Sequence, residues 1–360
     1  MSRLCVVAAG GTGGHMFPAE ALAREMSGRG WRVVLATDAR GEAYAQGFPA
    51  EERLALDAAT GRGPLGLIKA GLAIGRGVMQ ARDAFARLDT DVVVGFGGYP
   101  SAPALVAAIV DRRPTLIHEQ NAVLGRTNRT LAPFVTRVAS AFPTLEKAPD
   151  PVKANATVTG NPVRADIAAL ADRIYAAPVE GPIRVLVTGG SQGARLLSEA
   201  VPQALATLPE ALRSRLEVSQ QSRPETMQAA SQTYLEAGVR AEVAPFFRDM
   251  AQRLGGAHLL IGRAGASTCS ELAVTATPSL LIPLKIAMDD HQTLNARALS
   301  DAGAAEVLAE DEATLPALTQ LLGALLNDPQ RLKAMSDAAR TAAHLDATQR
   351  LADLAESIAR

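Results

Sequence analysis

Short apolar runs alternate with longer alanine- and leucine-rich stretches along the chain. In the first half the apolar runs are Leu4–Ala9, Arg32–Ala36, Val92–Val94 and Thr115–His118. They are continuous rather than alternating, which is typical of strands that a parallel sheet buries on both faces. The stretches between them have the length and composition of helices. The pattern therefore predicts an α/β fold built on a parallel sheet.

The same pattern starts again after a proline-containing break between residues 151 and 182. The stretch PIRVLVTGGSQGARLL (Pro182–Leu197) repeats the opening order of strand, glycine turn and helix. Further strands are predicted at Leu216–Ser219, Glu242–Val243, Leu259–Ile261 and Ser279–Ile282. Two similarly built halves predict two Rossmann-like domains with parallel sheets facing across a cleft. Ligands should bind beyond the carboxyl ends of the strands.

A length of 360 residues suits two domains better than one. We predict an N-terminal domain at residues 1–163 and a C-terminal domain at residues 164–340. The remaining segment, residues 341–360, is predicted to be a helix that packs back on the N-terminal domain.

Composition narrows the class of protein. Lys and Arg number 36 and Asp and Glu 37, so the net charge of −1 gives no sign of nucleic-acid binding. The two cysteines, Cys5 and Cys269, form neither a disulfide framework nor a metal-binding set. No apolar stretch approaches the roughly 20 residues of a membrane-spanning helix, and none suits a secretory signal. We expect a cytoplasmic protein that can still lie on a membrane surface.

The stretch GGTGGH (Gly10–His15) directly follows the first predicted strand. Glycine lets backbone N–H groups approach a ligand closely, and such a turn opening a helix suits an anion. The turn lacks the Lys-Ser/Thr ending of a nucleotide-hydrolysing P-loop, and no acidic residue is placed as in a dinucleotide site. The polar stretch HEQN (His118–Asn121) ends another strand at the same predicted edge.

Two glycine turns of the second half also lead into predicted helices, GGSQGA (Gly189–Ala194) and GRAGASTCSE (Gly262–Glu271). Ser267 and Thr268 suit a helix N-terminus, whose N–H groups and dipole favour a diphosphate. Glu271 is either an ordinary first-turn carboxylate or an acceptor for ribose hydroxyls.

Seven motifs together resemble the MurG family of N-acetylglucosaminyltransferases of bacterial peptidoglycan synthesis. In chain order they are GGTGGH, GFGGYPSAP, HEQN, GNPVR, GGSQGA, RAGASTCSE and HQTLNA, spread over nearly the whole chain. The resemblance implies the glycosyltransferase B architecture and inverting transfer of N-acetylglucosamine from UDP-N-acetylglucosamine to lipid I, an undecaprenyl-diphosphate-linked muramoyl-pentapeptide, giving lipid II. It implies no cofactor and a peripheral position on the cytoplasmic face of the inner membrane. Other proteins of cell-wall synthesis and division stay open as partners.

The resemblance also implies positions that hold the donor nucleotide. Arg164 and the backbone near Phe247 would lie beside the nucleotide. Ser191 would hold the diphosphate together with a segment that also reaches the ribose. The residues of that segment are Ala266, Ser267, Thr268, Cys269, Ser270 and Glu271.

Further implied positions surround the transferred sugar. Gln292 and Asn295 would face it, and Asn121 with Thr12, Gly13 and Gly14 would contact the donor from across the cleft. His291 stands where the family often has glutamine. Because an imidazole can still hydrogen-bond a sugar hydroxyl, we interpret this departure as tuning of the sugar contact.

Inverting transfer requires a base for the acceptor hydroxyl and stabilisation of departing UDP. His15 is the candidate base, because imidazole suits proton transfer near neutral pH, and Glu119 is the reserve. His15 could instead only hydrogen-bond a phosphate or the acceptor. Asp289-Asp290 is the nearest approach to an Asp-x-Asp metal motif. We therefore predict no metal, with helix N-termini and glycine-loop amides stabilising the leaving group.

The stretch Pro64–Leu88 is predicted to form a helix with two apolar faces. The face toward the sheet would carry residues such as Phe85 and Leu88. The opposite face would meet an anionic membrane surface, because basic side chains flank its apolar ones. Its predicted members are Ile68, Lys69, Leu72, Arg76 and Met79, with Leu65 alongside. The alternative is a helix buried on both sides, and its glycines weaken the helix prediction.

Two other functions remain compatible with these motifs. A UDP-N-acetylglucosamine 2-epimerase-like enzyme would share the architecture but would need different acidic residues and no membrane face. A non-catalytic nucleotide-sugar-binding scaffold would bind the donor without turnover.

Overall fold

The structure is a computed structural model that describes residues 2–39, 41, 47–61, 63–190 and 193–360. Within these residues the chain packs as two units. Unit 1 comprises Met1–Arg164 with Asp346–Arg360, and unit 2 comprises Ala165–Leu345. The predicted boundaries, at residues 163/164 and 340/341, differ from these by one and by five positions.

The described part of unit 1 is built on a parallel seven-stranded sheet in the order β3-β2-β1-β4-β5-β6-β7. Its central strands are buried along their whole length, which explains their continuous apolar sequence. The strands are β1 Leu4–Ala8, β2 Arg32–Thr37, β3 Glu52–Ala55, β4 Val92–Gly95, β5 Thr115–Glu119, β6 Arg137–Ser140 and β7 Ala156–Val158.

Helices cover both faces of this sheet. Met16, Leu22 and Met26 of the first helix pack on one face, and Leu105 of the third belongs to the core on the other. The helices are α1 Gly13–Gly28, α2 Gly63–Leu88, α3 Ala102–Val110, α4 Arg126–Leu131 and α5 Asp150–Asn155.

Unit 2 has a six-stranded parallel sheet within its described residues, in the order β10-β9-β8-β11-β12-β13. Its strands are β8 Ile183–Thr188, β9 Leu216–Gln221, β10 Arg240–Ala244, β11 Leu259–Gly262, β12 Ser279–Leu281 and β13 Ala305–Val307. Around them lie α6 Ala165–Ala168, α7 Arg195–Ala206, α8 Glu210–Arg213, α9 Met227–Glu236, α10 Met250–Gly256, α11 Ala266–Val274, α12 His291–Ser300, α13 Leu315–Leu326 and α14 Pro329–Thr341.

The last helix, α15 Ala347–Ile358, packs on α1 in unit 1. Leu351 and Ala355 are fully buried in the unit 1 core. At its polar edge, Arg29 Nη1 donates to Asp353 at 2.6 Å and to Glu356 at 2.6 Å. The indole of Trp31 donates to Glu356 at 2.8 Å. The C-terminal helix therefore belongs to the core of unit 1, although 324 positions separate Arg29 from Asp353.

The two doubly covered parallel sheets confirm the predicted α/β class. Every predicted strand is present, whereas β3, β6, β7 and β13 were not predicted. Three of these four lie at a sheet edge, where one side of the strand has no strand partner and the sequence is not a continuous apolar run. No helix among the described residues is long and apolar enough to span a membrane.

Candidate active site

The turn after β1 brings the chain from strand to helix in four residues. A Cβ at Gly10 would lie 2.7 Å from Pro100 Cβ and 2.9 Å from Asp38 Oδ1, so only glycine fits the packing there. Gly11 has φ of +86°, a conformation that glycine adopts without strain. Thr12 is then the N-cap of α1, without a capping bond from its side chain. The turn thus exposes Thr12 and Gly14 at the helix N-terminus, while Gly13 is buried.

His15 lies in the first turn of α1 and is half-buried. Its Nδ1 is 3.1 Å from Oε1 of Gln120, the residue that follows β5. Nε2 of Gln120 is 3.0 Å from the carbonyl of Phe96 and 3.2 Å from Nδ1 of His118. His118 Nε2 lies 3.0 Å from the carbonyl of Gly160. A polar chain therefore runs from an accessible histidine into the interior of unit 1.

Both carboxylate oxygens of Glu119 already accept hydrogen bonds from the protein, which does not suit a base that must reach a substrate hydroxyl. Its Oε1 accepts bonds from the backbone N–H and the side-chain amide of Asn121, both at 3.1 Å. Its Oε2 accepts from the Gly125 N–H at 3.0 Å and from Asn128 Nδ2 at 2.8 Å. The carboxylate is 2% exposed and holds the loop from residue 119 to 128. This geometry argues against the reserve base and assigns Glu119 and the Asn121 amide to loop structure.

The turn after β8 is the counterpart in unit 2. Gly190 and Gly193 have φ of +76° and +66°, and a Cβ at Gly189 would be 2.2 Å from Ala194 N. Ser191, implied as a diphosphate ligand, lies outside the described residues.

Gln221, at the end of β9, bonds to the start of this turn through its side-chain amide. Its Oε1 accepts from Thr188 Oγ1 at 2.7 Å and from the Gly189 N–H at 3.1 Å. Its Nε2 donates to the carbonyls of Gly190 and Pro245, at 3.1 and 3.2 Å. One amide therefore fixes the start of the glycine turn, at Gly189 and Gly190.

The N-terminus of α11 follows the buried strand β11. Gly265 is the N-cap, and Ser267 Oγ is buried without a hydrogen-bond partner among the described residues. Such a hydroxyl needs a partner, because burying it unsatisfied is costly. Thr268, Ser270 and Glu271 are partly exposed in the same helix. The helix end can therefore accept an anion that bonds to its N–H groups and to Ser267.

Cys269 and Ala266 face the interior of that helix end. Burial raises the pKa of the Cys269 thiol to about 12, so it stays protonated and unreactive at neutral pH. Ser270 Oγ donates to the Ala266 carbonyl at 3.0 Å. Cys269 and Ala266 shape the turn, and the donor contacts implied for the segment stay predictions.

The polar segment before α12 carries the positions implied for the sugar. Gln292 Oε1 accepts from the Leu284 N–H at 3.0 Å and is partly exposed. Asn295 is fully buried and donates to the Ala264 carbonyl at 3.1 Å, so it holds the turn before α11. His291 Nδ1 donates to the Met288 carbonyl at 2.7 Å. Asp289 and Asp290 both have left-handed backbones, with φ of +57° and +54°.

Phe247 and Arg164 were implied to lie beside the nucleotide. Phe247 is buried, with the Arg253 guanidinium 3.9 Å from its ring centroid. Arg164 ends unit 1, and its guanidinium lies 5.2 Å from the ring centroid of Phe17. Each belongs to a different unit, and each is held by a cation–π contact.

The predicted membrane face of α2 is exposed in the described structure. Leu65, Ile68, Leu72 and Met79 are 76%, 60%, 61% and 55% exposed, whereas Phe85 on the opposite face is fully buried. Lys69 is exposed, and Arg76 Nε pairs with Asp57 at 2.9 Å. The alternative of a helix buried on both sides is wrong, because four large apolar side chains are open on one side.

Sequence reasoning did not single out two glutamines that bond to these turns. Gln120 stood inside the HEQN motif without a role, and Gln221 is the last residue of β9. The signal that could have found them is a polar side chain at the carboxyl end of a buried strand. No cluster of three or more His, Cys, Asp or Glu side chains that could hold a metal occurs in the described ranges.

Comparison with known proteins gives the class. The chain belongs to glycosyltransferase family 28. The N-terminal domain of that family matches residues 5–140 and its C-terminal domain residues 184–354. The protein is therefore a glycosyltransferase.

Two relatives extend over the full length of the chain. Proteins of Caulobacter vibrioides (strain NA1000 / CB15N) and Phenylobacterium zucineum are 62% and 60% identical over 362 and 363 residues, 100% of each chain. Both are named UDP-N-acetylglucosamine--N-acetylmuramyl-(pentapeptide) pyrophosphoryl-undecaprenol N-acetylglucosamine transferase.

Solved structures agree with this family. The crystal structure of Acinetobacter baumannii MurG is 32% identical, with a TM-score of 0.81 and 99% of each chain covered. A putative UDP-N-acetylglucosamine 2-epimerase from Listeria monocytogenes is 16% identical, with a TM-score of 0.68 over 98% of this chain and 95% of that one. The second likeness is one of fold alone.

Proposed function

We infer that this protein transfers N-acetylglucosamine from UDP-N-acetylglucosamine to N-acetylmuramyl-(pentapeptide) pyrophosphoryl-undecaprenol, which is lipid I, and so produces lipid II. The observation that carries this conclusion is the 62% identity over the whole chain to a relative named for that reaction. The reaction belongs to peptidoglycan synthesis. In it the anomeric carbon of the sugar leaves the diphosphate of UDP and bonds to the C4 hydroxyl oxygen of the muramic acid.

Unit 2 is proposed to bind the donor. The diphosphate accepts bonds from the N-terminus of α11 and from Ser267 Oγ, whose burial without a protein partner supports this role. Ser191, in the glycine turn that Gln221 holds, supplies a further bond. As the bond to the sugar breaks, these fixed dipoles stabilise the charge that develops on UDP, and no metal is required.

Other donor contacts are proposed around this helix end. Glu271 accepts from the ribose hydroxyls, Phe247 and Arg164 lie beside the nucleotide, and Gln292 donates to the sugar. Gln292 suits this role because the Leu284 bond fixes its oxygen and directs its amide nitrogen away. Asn295 contributes by holding the Ala264 turn.

Unit 1 is proposed to receive the acceptor and to supply the base. His15 Nε2 takes the proton of the acceptor hydroxyl as that oxygen attacks the anomeric carbon, and the electron pair of the broken bond leaves with UDP. The exposed N-terminus of α1, with Thr12 and Gly14, lies within the same turn as His15 and suits a phosphate group. Glu119 takes no part in the proposed proton transfer.

The exposed face of α2 is proposed to bind an anionic membrane surface, at the cytoplasmic side of the inner membrane. Its apolar side chains insert shallowly beside lipid headgroups, and Lys69 contributes attraction to anionic lipid. Arg76 contributes less than its charge suggests, because Asp57 pairs with it.

Release of UDP from UDP-N-acetylglucosamine tests the reaction. We expect release with a short-chain lipid I analogue in EDTA, and none without the analogue. Release without an acceptor would indicate epimerase or hydrolase chemistry. Donor binding by calorimetry without any release would indicate a non-catalytic scaffold.

Vesicle binding tests the membrane face. Ile68→Ser with Leu72→Ser should reduce binding to anionic vesicles about tenfold or more, since each removes exposed apolar area from the bilayer. The matched control is Leu235→Ser on α9 of unit 2, where Leu235 is 73% exposed. Equal binding by the α2 variant and the control would reject this face.

A further inference from the structure

We propose that Gln120 is a positioning residue that fixes the tautomer of His15, holding the ring proton on Nδ1 so that Nε2 offers its lone pair to the acceptor hydroxyl. The proposal rests on the base role of His15 given above. It concerns contacts within unit 1 only.

The orientation of the Gln120 amide is determined by two backbone carbonyls. Its Nε2 lies 3.0 Å from the oxygen of Phe96 and 3.1 Å from the oxygen of His118. A carbonyl oxygen can only accept a hydrogen bond, so the amide NH₂ must face both of them. Exchanging the amide nitrogen and oxygen would bring three oxygens together in a side chain that is 2% exposed.

The fixed amide then determines the state of His15. Gln120 Oε1 faces His15 Nδ1 at 3.1 Å, and an amide oxygen can only accept. Nδ1 must therefore carry the proton, which in a neutral imidazole leaves Nε2 unprotonated. This is the less favoured tautomer of a free neutral imidazole side chain, so the protein selects it. The ring edge of His15 that carries Nε2 faces Gly98. A Cβ added to Gly98 would lie 3.5 Å from Nε2, at ordinary contact distance.

His118 supports the amide from the other side. Its Nε2 donates to the Gly160 carbonyl at 3.0 Å, and burial lowers the pKa of the imidazole to about 4, so the ring is neutral. Its Nδ1 is then an acceptor, which matches the Gln120 NH₂ at 3.2 Å. A second proton on His118 would set two donors against each other. Donors and acceptors thus alternate without conflict from Gly160 to His15.

Nitrogen-15 NMR of the full chain tests the tautomer directly. The chain has five histidines, and the His15 signals are those that vanish in His15→Ala. Long-range proton–nitrogen spectra distinguish a protonated ring nitrogen from an unprotonated one. We expect protonated Nδ1 and unprotonated Nε2 for neutral His15. A proton mainly on Nε2 would overturn the proposal, and the only variant that this measurement needs is His15→Ala, for assignment.

Gln120→Met keeps the side-chain length but removes the acceptor. We expect the His15 tautomer to shift toward protonated Nε2 and kcat to fall about tenfold or more, with the donor KM within about twofold. Gln120→Glu should restore much of both losses, because a neutral carboxyl can donate to one carbonyl and accept from His15. The matched control is Gln220→Met in unit 2, another buried glutamine that bonds to carbonyls, where the His15 tautomer should not change.

The outcomes separate this proposal from the proposed function. A wild-type kcat in Gln120→Met, or an unchanged tautomer, would overturn the positioning role while leaving the base role intact. Normal turnover by His15→Ala would overturn the base role and the positioning role together. The transferase function would still stand on acceptor-dependent UDP release.

Discussion

The glycine turn after β1 and the glycine turn after β8 have the same place in their sheets but different neighbours. Both follow a buried strand, open a helix, contain glycines with positive φ, and contact a glutamine from the end of an adjacent or nearby strand. In unit 1 that glutamine, Gln120, connects a half-buried histidine to a buried one. In unit 2 the glutamine, Gln221, bonds the turn itself, and its described partners include no titratable side chain.

Because of this difference, two turns of similar backbone suit two different tasks, ligand binding and proton transfer. A turn held by an amide has a fixed backbone, which suits a charge that is already present on a ligand. Under the proposed base role, the turn beside His15 instead provides a group that accepts a proton during the reaction. In both units the glycines let a ligand come close to the backbone. The proposed roles of the two turns differ because His15 lies beside the first and Gln221 bonds to the second.

Removing the imidazole should have the largest effect. His15→Ala should lower kcat on the order of 10²–10⁴-fold with a small change in donor KM, since a general base contributes about that much. Steady-state UDP release at saturating acceptor measures it. His344→Ala, between α14 and α15, is the control and should keep wild-type turnover. Near-normal turnover by His15→Ala with an unchanged pH profile would show that His15 is not the general base.

Acid should destabilise both units through one buried histidine each. Burial lowers the pKa of His118 in unit 1 and of His258 in unit 2 from 6.5 to about 4. Between these values the unfolded chain binds more protons than the folded one, so the free energy of unfolding falls as pH falls. For His118 the loss approaches about 3 kcal/mol. Urea unfolding at pH 7 and pH 4.5 measures it, and equal midpoints would contradict the expectation.

Loosening the second turn should weaken donor binding without affecting proton transfer. Gln221→Met removes the bonds to Thr188, Gly189 and Gly190, and we expect the donor KM to rise about tenfold at little cost in kcat. Gln220→Met, the preceding residue on the opposite face of β9, is the control and should lower stability alone. If Gln221→Met instead lowers kcat and leaves the donor KM unchanged, the turn after β8 acts in catalysis and the expected donor-binding role is wrong.

The smallest effect is expected at the N-terminus of α11. Ser267→Ala removes a buried hydroxyl without a partner in the described chain, so the apoprotein should be as stable or slightly more stable. Donor KM should nevertheless rise a few-fold, since the hydroxyl loses its phosphate bond. Thermal unfolding and donor titration together measure the pair of effects. Lower stability with unchanged KM would show that Ser267 has a structural role only.

Much of this molecule could be predicted from local pattern. The runs Leu4–Ala9 and Leu259–Ile261 are continuous and apolar because both faces of a central parallel strand are buried. The outward face of α2 could be predicted for the same kind of reason, since helical spacing alone places Ile68 and Leu72 on one side. Edge strands such as β3 could not, because their sequences alternate and resemble loops.

The roles of the polar residues depended on long-range contacts. Glu119 and Gln120 are adjacent in sequence and equally polar. Only the fold directs the first to amides at residues 121–128 and the second to His15, which is 105 positions away. Asn295 likewise reads as a ligand residue, but it bonds to a carbonyl 31 residues earlier in the chain.

Local pattern predicts the two parallel sheets, the glycine turns and the apolar face of α2, because each follows from the spacing and size of nearby side chains. Which polar group meets which depends on tertiary contacts, and the proposed position of the His15 proton depends on them too. A hydrogen bond requires two specific atoms about 3 Å apart, and no local pattern fixes that distance between residues far apart in the chain.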